Sequence, residues 1–234
     1  MTAAEGRDDA FAALRRAMVE QIERHAERVA DRTGRAAISA PVLEAVGRIP
    51  RHAFVPVEMA PYAYLDRPLP IGSGKTISQP FIVALMTDLL GIAPGDRVLE
   101  VGTGLGYQTA LLAELAGEVF TVEVIGELAR DGRRRLEEQG YANVSFRIGD
   151  GSLGWPGHGP FDRIIVTAAP DLIPPALLQQ LKPDGRMVIP AGLDDDQRLL
   201  VVAREAGGRL QTTEILPVRF SRLMSGTEAA DEQG

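Results

Sequence analysis

The 234-residue chain contains no cysteine. Disulfides, thiolate zinc sites and cysteine nucleophiles are therefore excluded. This fits a reducing compartment, so the cytoplasm is the expected location. Histidine is scarce, with only His25, His52 and His158 present. No metal site is expected. Long apolar runs are also missing: none approaches the ~18 residues needed to cross a bilayer. The first residues, MTAAEGRDDAF, are polar and acidic and lack the apolar centre of a signal peptide. No membrane partner is expected. Positive charge is in deficit, with a formal net charge of −7, which argues against a broad grip on nucleic-acid phosphates. No internal repeat is visible.

What is present is ordinary for a globular chain: 45% hydrophobic and 24% charged residues. Its length suits one sizeable domain with a short appendage, with a monomer as the expected form. Twenty-five glycines and sixteen prolines predict many tight turns. Residues 1 to about 8 read as frayed. Phe11, Leu14, Met18, Ile22 and Val29 have the spacing of an amphipathic helix. Ser39 reads as the N-cap of a short helix stopping near Gly47. The proline-rich 50–80 segment cannot be one helix and reads as an ordered, extended wrap. Helices are predicted over 81–91, 107–117, 126–140 and 174–185. Strands are predicted over 97–102, 118–123, 143–150, 161–169, 186–192, 197–205 and 209–220. This alternation predicts an α/β fold with a mostly parallel sheet flanked by helices. The division read from the chain is a helical cap and wrap over 1–80, a core over 81–226 and a disordered tail over 227–234.

The most informative stretch is VLEVGTGLGYQ, residues 98–108. A strand ends at Val101, and glycines follow at 102, 104 and 106 before a helix begins. Such a turn brings bare backbone close to a ligand at the carboxyl edge of a sheet. The dinucleotide fingerprint G-x-G-x-x-G is the obvious rival, but the spacing here is G-x-G-x-G. Glu100 precedes the turn and would sit badly beside a pyrophosphate. It suits a ligand with a positive end, such as S-adenosylmethionine. Glu123, at the end of the next strand, can accept from both ribose hydroxyls. Asp150 can accept from an adenine amino group, with Gly151 leaving room for the ring. Together these acids read as a site for a nucleoside-linked methyl donor.

Several segments resemble the protein-L-isoaspartate (D-aspartate) O-methyltransferase family. They are IPRHAFVP (49–56), LPIGSGKTISQPFIVALMTDLL (69–90), GDRVLEVGTGLGYQTA (95–110), GDGSLGWPGHGPFDRIIVTAA (149–169), LKPDGRMVIPAG (181–192) and PVRF (217–220). The donor motif is shared by many methyltransferases; TISQP with GDGSLGW and PVRF is far more specific. The resemblance implies a class I, Rossmann-like methyltransferase fold using S-adenosylmethionine. It implies methyl transfer to the α-carboxylate of L-isoaspartyl residues in damaged proteins and peptides, and leaves D-aspartyl residues open as a second acceptor. The ester re-cyclises easily, and hydrolysis returns some normal aspartate. By matching positions, Ser78 is the active-site serine. The donor-binding positions implied are Ile71, Gly72, Ser73, Gly74, Ser78, Glu100, Gly102, Thr103, Gly104, Glu123, Asp150 and Gly151. Thr76, Ile77, Ser78, Val218, Arg219 and Phe220 are implied to line the peptide cleft. The chain departs from the family pattern at Leu105, Lys75 and SRLMSG (221–226).

Read from its neighbours, Ser78 lacks the base and the G-x-S-x-G setting of a nucleophilic serine. His25 and His158 read as solvated, and His52 lies in the wrap. Ser78 is either a helix cap or a hydroxyl that orients a substrate carboxylate beside the helix start. Lys75 reads as a surface lysine or an attractor of acidic substrate, and Trp155 as a packing residue. The rival readings are a methyltransferase tailoring a dedicated peptide or a small molecule, a nicotinamide oxidoreductase, and a non-enzymatic binding module. TISQP and PVRF weigh against the small-molecule enzyme, and the glycine spacing against the oxidoreductase.

Overall fold

The computed structural model describes residues 5–193 and 195–225, with side chains from Phe11 onward. The chain opens with helices α1 (Glu5–Arg28), α2 (Ala30–Thr33) and α3 (Ala40–Arg48). Two 3₁₀ turns, Arg51–Phe54 and Val57–Tyr62, lead into the hairpin β1 (Leu69–Gly72) and β2 (Lys75–Ile77). The core then runs α4 (Pro80–Leu90), β3 (Arg97–Val101), α5 (Tyr107–Leu115), β4 (Glu118–Glu123), α6 (Gly126–Glu138) and β5 (Val144–Ile148). It continues with a 3₁₀ turn at Gly151–Leu153, β6 (Phe161–Val166), α7 (Pro175–Gln179), β7 (Leu181–Ala191), β8 (Gln197–Arg204) and β9 (Leu210–Val218).

Among the described residues, seven strands form one sheet in the order β5-β4-β3-β6-β7-β8-β9. The five from β3 to β7 are parallel, and β8 and β9 add antiparallel to one edge. The chain leaves β3 toward β4 and β5, then returns to place β6 on its other side. That reversal opens a crevice at the carboxyl ends of β3, β4 and β6, where α/β sheets bind ligands. The expected α/β fold with a mostly parallel sheet is therefore what forms.

Alternation along the strands builds a core on each face. Val98, Val119, Ile165 and Val188 face α1, α3, α4 and α5, where Met18, Ile22, Val46, Leu85 and Leu111 are fully packed. Leu99, Val101, Phe120, Ile164, Val166 and Met187 fill the other face, joined by Leu177 of α7. The N-terminal helices thus share one apolar cluster with the sheet. They are also latched by charge. Asp88 of α4, nearly buried, pairs with Arg35 at 2.6 Å and accepts from the Ser39 amide at 3.0 Å.

Several sequence expectations shift. Helix α1 already runs from Glu5, where fraying was expected. Ser39 stands at the N-cap of α3 without a side-chain capping bond. The predicted 174–185 helix ends at Gln179, because Leu181 already pairs with Phe161 in the sheet. The 50–80 wrap is ordered, as expected, but holds two 3₁₀ turns and a hairpin. The predicted tail lies outside the described residues.

Helix α6 seats directly on the glycine turn. Leu128, Gly132 and Leu136 lie four apart and are buried. A Cβ at Gly132 would stand 2.6 Å from the Gly104 carbonyl oxygen, and one at Gly106 would stand 2.8 Å from Leu136 Cδ1. Gly106, at φ 96°, is thus a helix-packing glycine as well as the N-cap of α5. Gly132→Ala is expected to cost about 1–3 kcal/mol, the usual scale of overpacking. Thermal unfolding should show a Tm lowered by several degrees; an unchanged Tm would mean that α6 does not rest on this turn.

Candidate active site

Three cavities meet at the carboxyl edge of the sheet. The first is walled by Val101, Gly102, Gly104, Glu123, Ile125, Leu128 and Gly151. The second is an open cleft walled by Pro68, Ser78, Gln79, Ile82 and the 217–221 segment. The third lies behind Ser78, between α4 and the 102–108 turn, with Thr103 and Ile77 on its wall. Thr76 and Thr167 line all three. Ser78 lines the second and third.

The turn between β3 and α5 is held from several sides. Gly102, Gly104 and Gly106 all have positive φ. Glu123 Oε2 accepts from the Gly104 amide at 2.8 Å, and Oε1 accepts from the Ile125 amide at 3.0 Å. Burial pushes the Glu123 carboxyl above its ordinary range, and these amides pull it back down. Thr167 Oγ1 donates toward the Val101 and Gly102 carbonyls, at 3.1 and 2.8 Å. It packs so closely on Gly102 that no Cβ could fit there. Thr167 escaped the sequence reading. It lay inside the predicted 161–169 strand, which in the fold already ends at Val166, so nothing in that reading singled it out.

Glu100 lines none of these cavities. It is fully buried beneath the turn, where its Oε2 accepts from Thr109 Oγ1 and Thr121 Oγ1, both at 2.6 Å. Its Oε1 is buried without a partner among the described residues. Desolvation pushes its carboxyl up to about 8 despite the two hydroxyls. The expected contact with a positive ligand end is thus replaced by an internal one. Thr121 also bonds Thr103 at 2.5 Å, linking Glu100 to the turn.

Gly72, Ser73 and Gly74 form the exposed hairpin between β1 and β2 and lie off the cavity walls, unlike Ile71 just before them. Asp150 Oδ1 accepts from the Ser152 amide at 2.8 Å, capping the 3₁₀ turn. Gly151 lines the first cavity, but what requires a glycine there is Val101, whose side chain fills the Cβ position. Val218, Arg219 and Phe220 wall the second cleft as expected. Lys75 lines the first cavity near Glu123.

Ser78 is not the cap of α4; that position belongs to Gln79. The cap function is carried by Asp66 from the wrap. Its Oδ1 accepts from the Phe81 amide at 2.9 Å, and its Oδ2 from Gln79 Nε2 at 3.0 Å. His25 Nδ1 lies 3.1 Å from the same Oδ2, and its ring stacks on Phe81 at 3.9 Å. His25 is therefore a packed residue, whereas His158 is exposed, as its sequence reading expected, with its ring 5.2 Å from that of Trp155. Trp155 itself packs edge-on against Phe120, as its sequence reading expected. His52 stacks on Phe11 and meets the Tyr64 hydroxyl at 2.7 Å. Because Asp66 already occupies the helix start, a second carboxylate gains little from the α4 amides. The Ser78 carbonyl is fixed by buried Arg51, whose Nη2 donates to it at 2.9 Å. Among the described residues the Ser78 hydroxyl has no hydrogen-bond partner, so it is available to a ligand.

The residues fit a nucleoside donor. A bare-backbone turn, a carboxylate at the neighbouring strand end and the apolar walls Val124, Ile125 and Leu128 form a cradle for a sugar and a flat ring. The crevice position and this cradle define an α/β, Rossmann-like methyltransferase that uses S-adenosylmethionine. The family model for protein-L-isoaspartate(D-aspartate) O-methyltransferase matches residues 26–228. A protein of Polaromonas sp. (strain JS666 / ATCC BAA-500), protein-L-isoaspartate O-methyltransferase 1, is 55% identical over 213 residues, covering 91% of this chain and 90% of its own. A solved protein-L-isoaspartate O-methyltransferase superposes with a TM-score of 0.77 at 28% identity, over 91% of this chain and 66% of that one. A Plasmodium falciparum structure, described as a putative protein-L-isoaspartate O-methyltransferase in complex with S-adenosyl-L-homocysteine, superposes at 0.74 with 22% identity, over 89% and 97%. At that identity it speaks for the fold alone. The chain belongs to the protein-L-isoaspartate(D-aspartate) O-methyltransferase family.

The buried Glu100 gives a pH prediction. Its pKa is raised in the fold from 4.5 to about 8, so the folded state holds more protons than the unfolded one between those values. Its contribution is full below about pH 4.5 and is lost as pH rises toward 8. Glu100→Gln should therefore gain in Tm relative to the wild type as pH rises from 5 to 8. A constant difference would show that Glu100 is ionised throughout.

Proposed function

We propose that the first and third cavities hold S-adenosylmethionine and that the second cleft receives the acceptor, with Ser78 at their junction. The family assignment makes the chain a protein-repair methyltransferase acting on isoaspartyl residues. D-aspartyl acceptors belong to the same proposal. The observation that carries the arrangement is the position of Ser78, shared by the cleft and the cavity behind it, with its hydroxyl unengaged.

Gly102, Thr103 and Gly104 would hold the donor through backbone, with Ile71 against the turn. Glu123 would accept from the ribose, and Asp150 and Gly151 would border the adenine. When bound, the donor supplies an electrophilic methyl carbon on a sulfonium. An isoaspartyl α-carboxylate, with a pKa of roughly 3.5, is already ionised at neutral pH. No base is needed, and none of the three histidines lines these cavities. The Ser78 hydroxyl donates to one carboxylate oxygen and leaves the other to attack. A neutral donor holds the anion without quenching it as a guanidinium would. Pro68, Ile82, Val218 and Phe220 displace water from the cleft. Alignment of this kind supplies on the order of 7–11 kcal/mol in favourable cases.

Labelled S-adenosylmethionine should place base-labile label on an isoaspartyl peptide and none on its aspartyl twin. Label on neither peptide would sink the acceptor assignment. Ser78→Ala should lower kcat by roughly 10- to 100-fold, the scale of one hydrogen bond to an anion, with donor affinity nearly unchanged. A collapse of donor binding, read by calorimetry, would move Ser78 to the donor side.

A further inference from the structure

Beyond β9 the chain leaves the sheet and crosses the carboxyl ends of the strands as a strap. Val218, Arg219, Phe220 and Ser221 wall the acceptor cleft, and Ser221 to Met224 wall the donor cavity. The donor half of the strap is tied to the end of the sheet beyond β6. The Ala169 amide donates to the Ser221 carbonyl at 2.8 Å, and the Leu223 amide donates to the Ala169 carbonyl at 2.8 Å. The acceptor half has a different anchor. Gln197, the first residue of β8, accepts from the Phe220 amide through Oε1 at 2.7 Å and donates from Nε2 to the Phe220 carbonyl at 3.1 Å.

Gln197 is 3% exposed and lines none of the cavities just described. One planar amide thus grips both polar groups of a single strap residue. A neutral amide can do this, since it carries one donor side and one acceptor side. A carboxylate could take only the amide, and an aliphatic side chain neither. Because β8 pairs Gln197 with Val218, the same residue fixes both the last rung of β9 and the first residue pair beyond it.

We propose that Gln197 is a positioning residue for the acceptor: by clamping Phe220 it sets the wall against which the isoaspartyl peptide lies. This rests on the second cleft being the acceptor site. The donor side of the strap keeps its own ties to Ala169, so the loss of Gln197 falls on acceptor binding.

The test uses the full chain with labelled S-adenosylmethionine and an isoaspartyl peptide. Gln197→Leu should raise the peptide KM about tenfold, the scale of one or two lost hydrogen bonds. The Kd for S-adenosylhomocysteine, measured by calorimetry, should change less than about threefold. Gln197→Glu supplies a readout that general destabilisation would not move. Its ionised form faces the Phe220 carbonyl with a lone pair, whereas its protonated form restores the donor. The peptide KM of Gln197→Glu should therefore fall toward the wild-type value as pH is lowered from 8 to 5.5, with no matching trend in the wild type. Should the leucine variant fail to fold, this pH profile decides. An unchanged peptide KM in Gln197→Leu, a parallel loss of donor affinity, or a flat profile in Gln197→Glu would overturn the role of Gln197. A wild-type chain that leaves the peptide unlabelled would overturn the acceptor reading, and this proposal with it.

Discussion

The site depends on one constraint: a stretch of bare backbone, residues 102–106, must be held still where the sheet reverses direction. Glycine gives the turn its shape but no stiffness. Stiffness comes from outside. Glu123 takes the Gly104 amide, Thr167 takes the Val101 and Gly102 carbonyls, and α6 closes on the turn through Gly132. Beneath it, Glu100 collects Thr109 and Thr121, and Thr121 meets Thr103. A carboxyl buried this deeply is costly when charged. Its raised pKa and the short hydroxyl contacts are how the fold accommodates it.

The acceptor side is organised by residues far away in sequence. Arg51 is fully buried, stacked 4.8 Å over the Tyr107 ring, and spends two of its donors on the Ala63 and Ser78 carbonyls. Its third terminal atom, Nη1, is buried without a partner among the described residues, as is the Tyr107 hydroxyl. Burial lowers the Arg51 pKa to about 10, which leaves it charged at neutral pH. Leaving such groups buried costs stability. What the arrangement secures is geometry: the carbonyl of Ser78 itself is pinned by Arg51, and the chain after it by Asp66. The N-terminal 80 residues therefore reach into the chemistry through these two side chains, besides covering one face of the sheet.

Charge is distributed to match the reaction. In the proposed arrangement the nucleophile is an anion, and the residues walling the second cleft are neutral apart from exposed Arg219, which pairs with Asp195 at 3.1 Å. Thr76 and Ser78 bring hydroxyls to where the cavities meet, beside Thr167, whose own hydroxyl is spent on the Val101 and Gly102 carbonyls. Neutral donors can orient a carboxylate while leaving its lone pairs reactive. A helix start would have held it more firmly, but Asp66 occupies that position.

Much of the architecture was legible in the chain. Alternating strand and helix patterns from 97 to 190 determined a parallel sheet, and G-x-G-x-G after a strand marked the turn that walls the first cavity. TISQP and PVRF pointed to the two sides of one cleft, and both stand there. These features are local: periodicity, turn chemistry and short motifs depend on neighbours along the chain. Four matters lay beyond that range. They are the burial of Glu100 away from the three cavities, the cap of α4 by Asp66 instead of Ser78, the packing of His25, and the role of Thr167. Each depends on groups brought together from distant positions, as when His25 and Phe81 stack across more than fifty residues. Sequence therefore determined which groups could do the chemistry and on which edge of the sheet. Only the packed fold decided which of them face the cavities and which hold the others in place, because burial and hydrogen-bond partners are properties of three-dimensional neighbours.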